Sequence, residues 1–160
     1  MTGGVRIMRR ITQAMAVLIL LPLMACSKVD LSGTYLASDP NMTMMLQLEE
    51  APDNRISGRL SFLTLDSGGH IESATAAVTG AADGSAINLT VQPVPSLPVA
   101  TTLSGNQTAP GRLTLNGPAK DGQVPTWTWE QSTFFVFQTL AQNLRTRSAD
   151  ILKKSAEENK

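Results

Sequence analysis

From Leu31 to Glu130 the chain keeps a two-residue beat, broken by turn-forming residues roughly every ten positions. Met44, Leu46 and Leu48 alternate with Met45, Gln47 and Glu49. Ile87, Leu89 and Val91 alternate with Asn88 and Thr90, Leu113 and Leu115 flank Thr114, and Trp127 and Trp129 flank Thr128. A period of two puts one set of side chains on a buried face and the other in water, which a helix does not do. Between the runs lie Asp39-Pro40-Asn41, Asp53-Asn54, Ser67-Gly68-Gly69, Asp83-Gly84, Ala109-Pro110-Gly111 and Asp121-Gly122. Gly and Asn accept positive φ and Pro presets φ, so these clusters are tight turns. The pattern predicts eight strands, over 31–37, 42–50, 55–65, 70–80, 85–92, 98–105, 111–116 and 123–130. Short connections make neighbouring strands antiparallel, so residues 31–130 read as one mainly β domain, a meander. Eight such strands close into a small barrel; a two-sheet sandwich fits the same pattern.

A faint repeat runs through this domain. Leu31-Ser32-Gly33, Ile56-Ser57-Gly58, Val78-Thr79-Gly80 and Leu103-Ser104-Gly105 share an apolar residue, a hydroxyl residue and Gly, with the glycines 25, 22 and 25 residues apart. Glycine inside a strand marks a bend or bulge, which a small barrel needs at its corners. Gly33-Thr34-Tyr35 on the first strand resembles the Gly-x-aromatic motif that opens avidin and lipocalin barrels, a calycin-like arrangement. That resemblance implies that Tyr35 closes one barrel end and that the interior takes a small apolar ligand.

The chain has seven aromatic residues, and five of them lie in 127–137: Trp127, Trp129, Phe134, Phe135 and Phe137. Aromatic side chains dominate burial energy, so this stretch is expected to form a principal part of the core. The alternative reading makes it, with Tyr35, a candidate lining for a ligand site: Tyr35, Trp127, Trp129, Phe134 and Phe137. From Ser132 the period changes. Phe134, Phe137, Leu140, Ala141, Leu144, Ile151 and Leu152 recur at helical spacing, with Ser132 or Thr133 available as a cap. Residues 131–160 therefore read as an amphipathic C-terminal helix and tail, although Phe134-Phe135-Val136-Phe137 also suits a strand. Gln92-Pro93-Val94-Pro95-Ser96-Leu97-Pro98 is expected to be an extended, stiff connection.

The N-terminus has a different character. Residues 1–25 carry Arg6, Arg9 and Arg10 and no acid, then a 12-residue apolar run from Ala14 to Ala25. That run is short of the ~20 residues that span a bilayer and fits a secretory signal, with Met1 or Met8 as the start. Leu23-Met24-Ala25-Cys26 resembles the lipobox of bacterial lipoproteins. The resemblance implies that residues 1–25 are cut away, that Cys26 is acylated with palmitate-type chains, and that residues 26–30 form a lipidated tether. Ser27 after the Cys implies the outer membrane, facing the periplasm. Without the signal, ten basic residues face 13 acidic ones, so the mature chain is mildly acidic.

Little in the sequence points to catalysis. Cys26 is the sole cysteine and His70 the sole histidine, which leaves neither a disulfide framework nor a metal cluster of ordinary composition. No Gly-x-Ser-x-Gly elbow, phosphate loop or dinucleotide fingerprint is present. The turn aspartates serve local geometry, and Glu49 and Glu50, adjacent on a strand, point to opposite faces. The acidic mature chain also argues against a nucleic-acid surface. The sequence thus leads to a non-enzymatic, cofactor-free, lipid-anchored envelope protein. It is expected to act as an interaction or assembly module through its C-terminal helix or, alternatively, as a binder of small apolar ligands.

Overall fold

A computed structural model describes residues 30–119 and 122–158. Cys26, the signal segment and the first part of the tether lie outside them. The elements are β1 (Gly33–Asp39), β2 (Met42–Glu50), β3 (Arg55–Leu65), β4 (Ile71–Asp83), β5 (Ala86–Val91), β6 (Thr101–Ala109), β7 (Arg112–Asn116), β8 (Thr126–Gln131) and α1 (Phe134–Glu158). Each strand pairs antiparallel with the next, and β1 pairs with β8 through Tyr35 opposite Gln131 and Leu36 opposite Glu130. The eight strands therefore close into an up-and-down barrel rather than a sandwich. Closure satisfies the backbone groups that two free sheet edges would leave unpaired.

The alternating residues point into the barrel. Tyr35, Leu46, Val78, Ile87, Leu89, Val91, Leu113, Leu115 and Trp129 are all buried in one continuous core. The outer wall is largely Thr, Ser, Gln, Arg and Glu, as at Thr34, Gln47, Ser57, Arg59 and Thr128. This sense of alternation, apolar inside and polar outside, is the reverse of a barrel that crosses a membrane.

The repeated glycines explain how so few residues turn the corners. Gly58, Gly80 and Gly105 occupy inward positions where the neighbouring strand comes very close. A Cβ on them would lie 2.0, 2.1 and 1.9 Å from the carbonyl oxygens of Gln47, Asn88 and Thr114. The backbone of the neighbouring strand fills the space a side chain would need at these points, so only glycine fits.

Both rims are capped. At the rim where β1 starts and β8 ends, Leu31 enters the core and the Tyr35 hydroxyl donates to the Leu31 carbonyl at 3.1 Å. Glu50 accepts the Leu31 N–H at 2.9 Å, and the Glu50 N–H donates to Ser32 Oγ at 3.0 Å, tying the entering chain to the end of β2. At the opposite rim Val94, Leu97 and Trp127 pack onto the core. The proline-rich loop that carries Val94 and Leu97 is not extended. Val94 and Leu97 exchange backbone hydrogen bonds of 2.9 and 2.8 Å around Pro95-Ser96, because a fixed φ suits a reverse turn as well as an extended segment.

Candidate functional site

With the barrel interior occupied by its own side chains, the surface built by α1 is the feature that needs a purpose. Thr133 caps the helix: its Oγ1 accepts the Val136 N–H at 3.4 Å, and its carbonyl accepts the Phe137 N–H at 3.3 Å. The chain leaves β8 with the Ser132 N–H donating to Thr34 O at 2.8 Å, and the helix crosses the outer wall over β2 and β3. Phe134-Phe135-Val136-Phe137 is thus helical, because β8 already ends at the barrel rim and has no further strand to pair with.

The docking face forms a second, smaller core outside the barrel. Ala141 and Leu144 pack on Leu63 and Leu65, with Ile71 and Ile151 at its margin. Leu36, Thr43 and Met45 point outward from β1 and β2 and are nonetheless buried. Met45 therefore does not belong to the solvent-facing set that strict alternation assigns it to; the helix takes the place of water. Polar contacts fix the far end. Arg147 donates to Pro40 O and, at 3.0 Å, to Asn41 Oδ1 in the β1–β2 turn, and Ser148 Oγ donates to Gly69 O in the β3–β4 turn. Gly69 is a site of close approach: its φ is +86°, and a Cβ there would meet Ile151 Cγ2 at 3.0 Å and Leu152 Cγ at 3.1 Å. The β3–β4 turn is held by Asp66, whose carboxylate accepts the His70 N–H at 2.8 Å. That bond holds the Asp66 carboxyl below the usual carboxylate range, helped by the His70 ring at 3.3 Å. His70 is a turn residue, exposed on the surface.

Two grooves flank the first half of α1. One, about 290 Å³, lies between Phe134, Phe137, Ala141 and Arg145 and the outer faces of β3 and β4. The other, about 400 Å³, lies between Val136 and Leu140 and the seam of β1 and β8. A 110 Å³ hollow near the far end is lined by Thr43, Asn143 and Arg147 among others, and the Thr43 hydroxyl is buried there without a hydrogen-bond partner.

The five aromatic residues grouped by sequence do not form one site. Tyr35 and Trp129 are buried inside the barrel, Tyr35 toward the rim where β1 starts, and Trp127 closes the opposite rim, where a Cβ on Gly117 would meet the Trp127 ring at 2.5 Å. Phe134 and Phe137 lie on the outer wall, their ring centroids 6.4 Å apart. Phe134 and Phe135 stay largely in solvent, so the 127–137 stretch supplies the core only as far as Trp129. Burial pushes the Tyr35 phenol above its ordinary pKa, with the Asp30 and Glu50 carboxylates adding to it. The Trp129 indole N–H is buried with no acceptor. Among the described residues no group of three His, Cys, Asp or Glu side chains is placed to hold a metal ion.

Of the residues that dock the helix, Leu144 belongs to the apolar stripe read from the sequence, whereas Arg147 and Ser148 escape sequence reasoning. The wall they meet is signalled by adjacent apolar residues in a strand, Met44-Met45 and Phe62-Leu63, which indicate cover on both sides. Fold and surface together define a closed β-barrel with a filled interior and one helix docked outside. Comparison with protein families, curated proteins and solved structures finds no match to this chain.

Proposed function

We propose that this protein is a lipid-anchored module of the bacterial envelope that holds a protein partner through α1. Cys26 carries the acyl chains, and the barrel is a rigid stand for the helix. The observation that carries this reading is that the entry to β1 and the last described turns of α1 lie at opposite rims of the barrel. Asp30 meets the barrel at the rim where β1 begins, beside Glu50 and Gly33. The helix passes the opposite rim at Gly69, and residues 153–158 continue about 9 Å beyond it, all exposed. An anchored barrel would hold this projecting end away from the bilayer, with Lys153, Lys154, Glu157 and Glu158 in water. Outer-membrane attachment, facing the periplasm, follows the residue after the lipidated Cys. Binding of a small apolar ligand inside the barrel is disfavoured, because Leu31, Tyr35, Val94, Leu97 and Trp127 close both ends over an occupied core.

The test is photo-crosslinking in the native envelope from a probe at Leu152 or Lys153. A discrete crosslinked protein, lost from the Leu152 probe when residues 153–160 are deleted, is the expected result. Absence of any crosslinked protein from both positions refutes the partner reading. Cys26→Ser is expected to abolish acylation and membrane retention; a variant that stays acylated refutes the anchor.

A further inference from the structure

We infer that the first turn of α1, Phe134-Phe135-Val136, is seated in the lipid interface of the membrane to which Cys26 is attached. The inference rests on the acylation of Cys26 proposed above. Phe134, Phe135 and Val136 are 52%, 74% and 41% exposed. Successive helix residues are about 100° apart, so three in a row point in three directions and the barrel wall can cover only one of them. Phe135 points directly away from the docking face of Ala141 and Leu144. A turn that is apolar all round is costly in water and calls for a cover.

Where the chain enters says what the cover is. Gln131 pairs with Tyr35, and the Ser132 N–H donates to Thr34 O, so α1 starts three residues from the rim where β1 starts. Asp30 is at that same rim, and Cys26 stands four residues before it, within ~14 Å at full extension. The acyl chains therefore leave the barrel on the side from which the helix sets out, and the projecting end 153–158 is on the other. The first turn itself carries no carboxylate, and aromatic and branched apolar side chains are what the interfacial layer of a membrane accepts. The anchor and the helix turn would then hold the barrel at two points, fixing its tilt and the direction of the projecting end.

The test uses the acylated protein in vesicles of phosphatidylethanolamine and phosphatidylglycerol. In Phe135→Cys the only free thiol is at 135, because Cys26 is blocked; it is labelled with an environment-sensitive fluorophore. Ser67→Cys, at the opposite rim, is the companion variant. The expected result is a blue-shifted emission at 135 that a lipid with a headgroup-proximal nitroxide quenches, while the label at 67 reports water. A label at 135 as wet in vesicles as in detergent overturns the inference and leaves the anchor standing. A label at 135 shielded without vesicles, in a dimeric protein, assigns the turn to a second copy and overturns it. A Cys26 thiol that reacts with maleimide in protein from its host overturns the anchor and the inference together.

Discussion

Replacing Gly58 by Ala tests whether the repeated glycines are the barrel's corners. Gly58 lies between the inward residues Ile56 and Leu60 and opposite Leu48 of β2. Its new Cβ would lie 2.0 Å from the Gln47 carbonyl oxygen and 3.1 Å from the carbonyl carbon. A carbon–oxygen contact is comfortable at about 3.3 Å, so β3 would have to move away from β2 by roughly 1.3 Å. The obstacle is backbone, and no rotamer change relieves it. Such a shift breaks about two ladder hydrogen bonds, at ~1 kcal/mol each, and adds ~2 kcal/mol of overpacking. The entropy removed from the unfolded chain returns at most ~1 kcal/mol, leaving a net loss of ~3 kcal/mol. For a chain of this size that lowers Tm by roughly 10 °C. Urea unfolding of Gly58→Ala beside Ser57→Ala measures it. Ser57 is exposed on the same strand, and its replacement should change stability by less than ~0.5 kcal/mol. A Gly58→Ala protein as stable as the Ser57→Ala one would refute the corner assignment.

Leu144→Ala should cost ~2 kcal/mol, the low end for a buried leucine, because its cluster lies outside the main core. Amide exchange should quicken in 140–152 and stay slow in β5–β7; uniform quickening would show that helix and barrel unfold as one unit. Thr43→Val removes a buried, unpartnered hydroxyl beneath the helix and should stabilise the protein by ~1 kcal/mol in thermal unfolding, whereas a loss would mean that the hydroxyl is bonded. Because Asp66 has a folded pKa below its unfolded one, its contribution is complete above the ordinary Asp range near ~3.9 and is lost as pH falls through the lower, folded value. Protection of the His70 amide, taken relative to its intrinsic exchange rate at each pH, should therefore fall on acidification, and Asp66→Asn should remove that pH dependence; a protection unchanged in acid refutes the link.

Strand positions were legible because each strand has a single buried face, which writes period two into the sequence. β2 and β3 are read to the residue, and the others shift by a few positions where turns end them. The helix was legible in its period but not in its start, because Phe134–Phe137 suits a strand as well as a helix until the rim of the barrel rules out another strand. The candidate aromatic site was misgrouped because nearness in sequence between Trp129 and Phe134 hides a reversal: the chain passes from the inner face of β8 to the outer wall within five residues.

The antiparallel meander, the terminal helix and the inward face follow from local periodicity and turn chemistry, and so are written in the order of the residues. Closure of the sheet is not local. Closure needs β1 to meet β8 and glycines to let strands approach within contact of a carbonyl, and both depend on residues far apart in the chain. Tertiary packing likewise sets which outward residues are buried, because Met45 and Thr43 are covered by a helix about a hundred residues away, which no local pattern encodes.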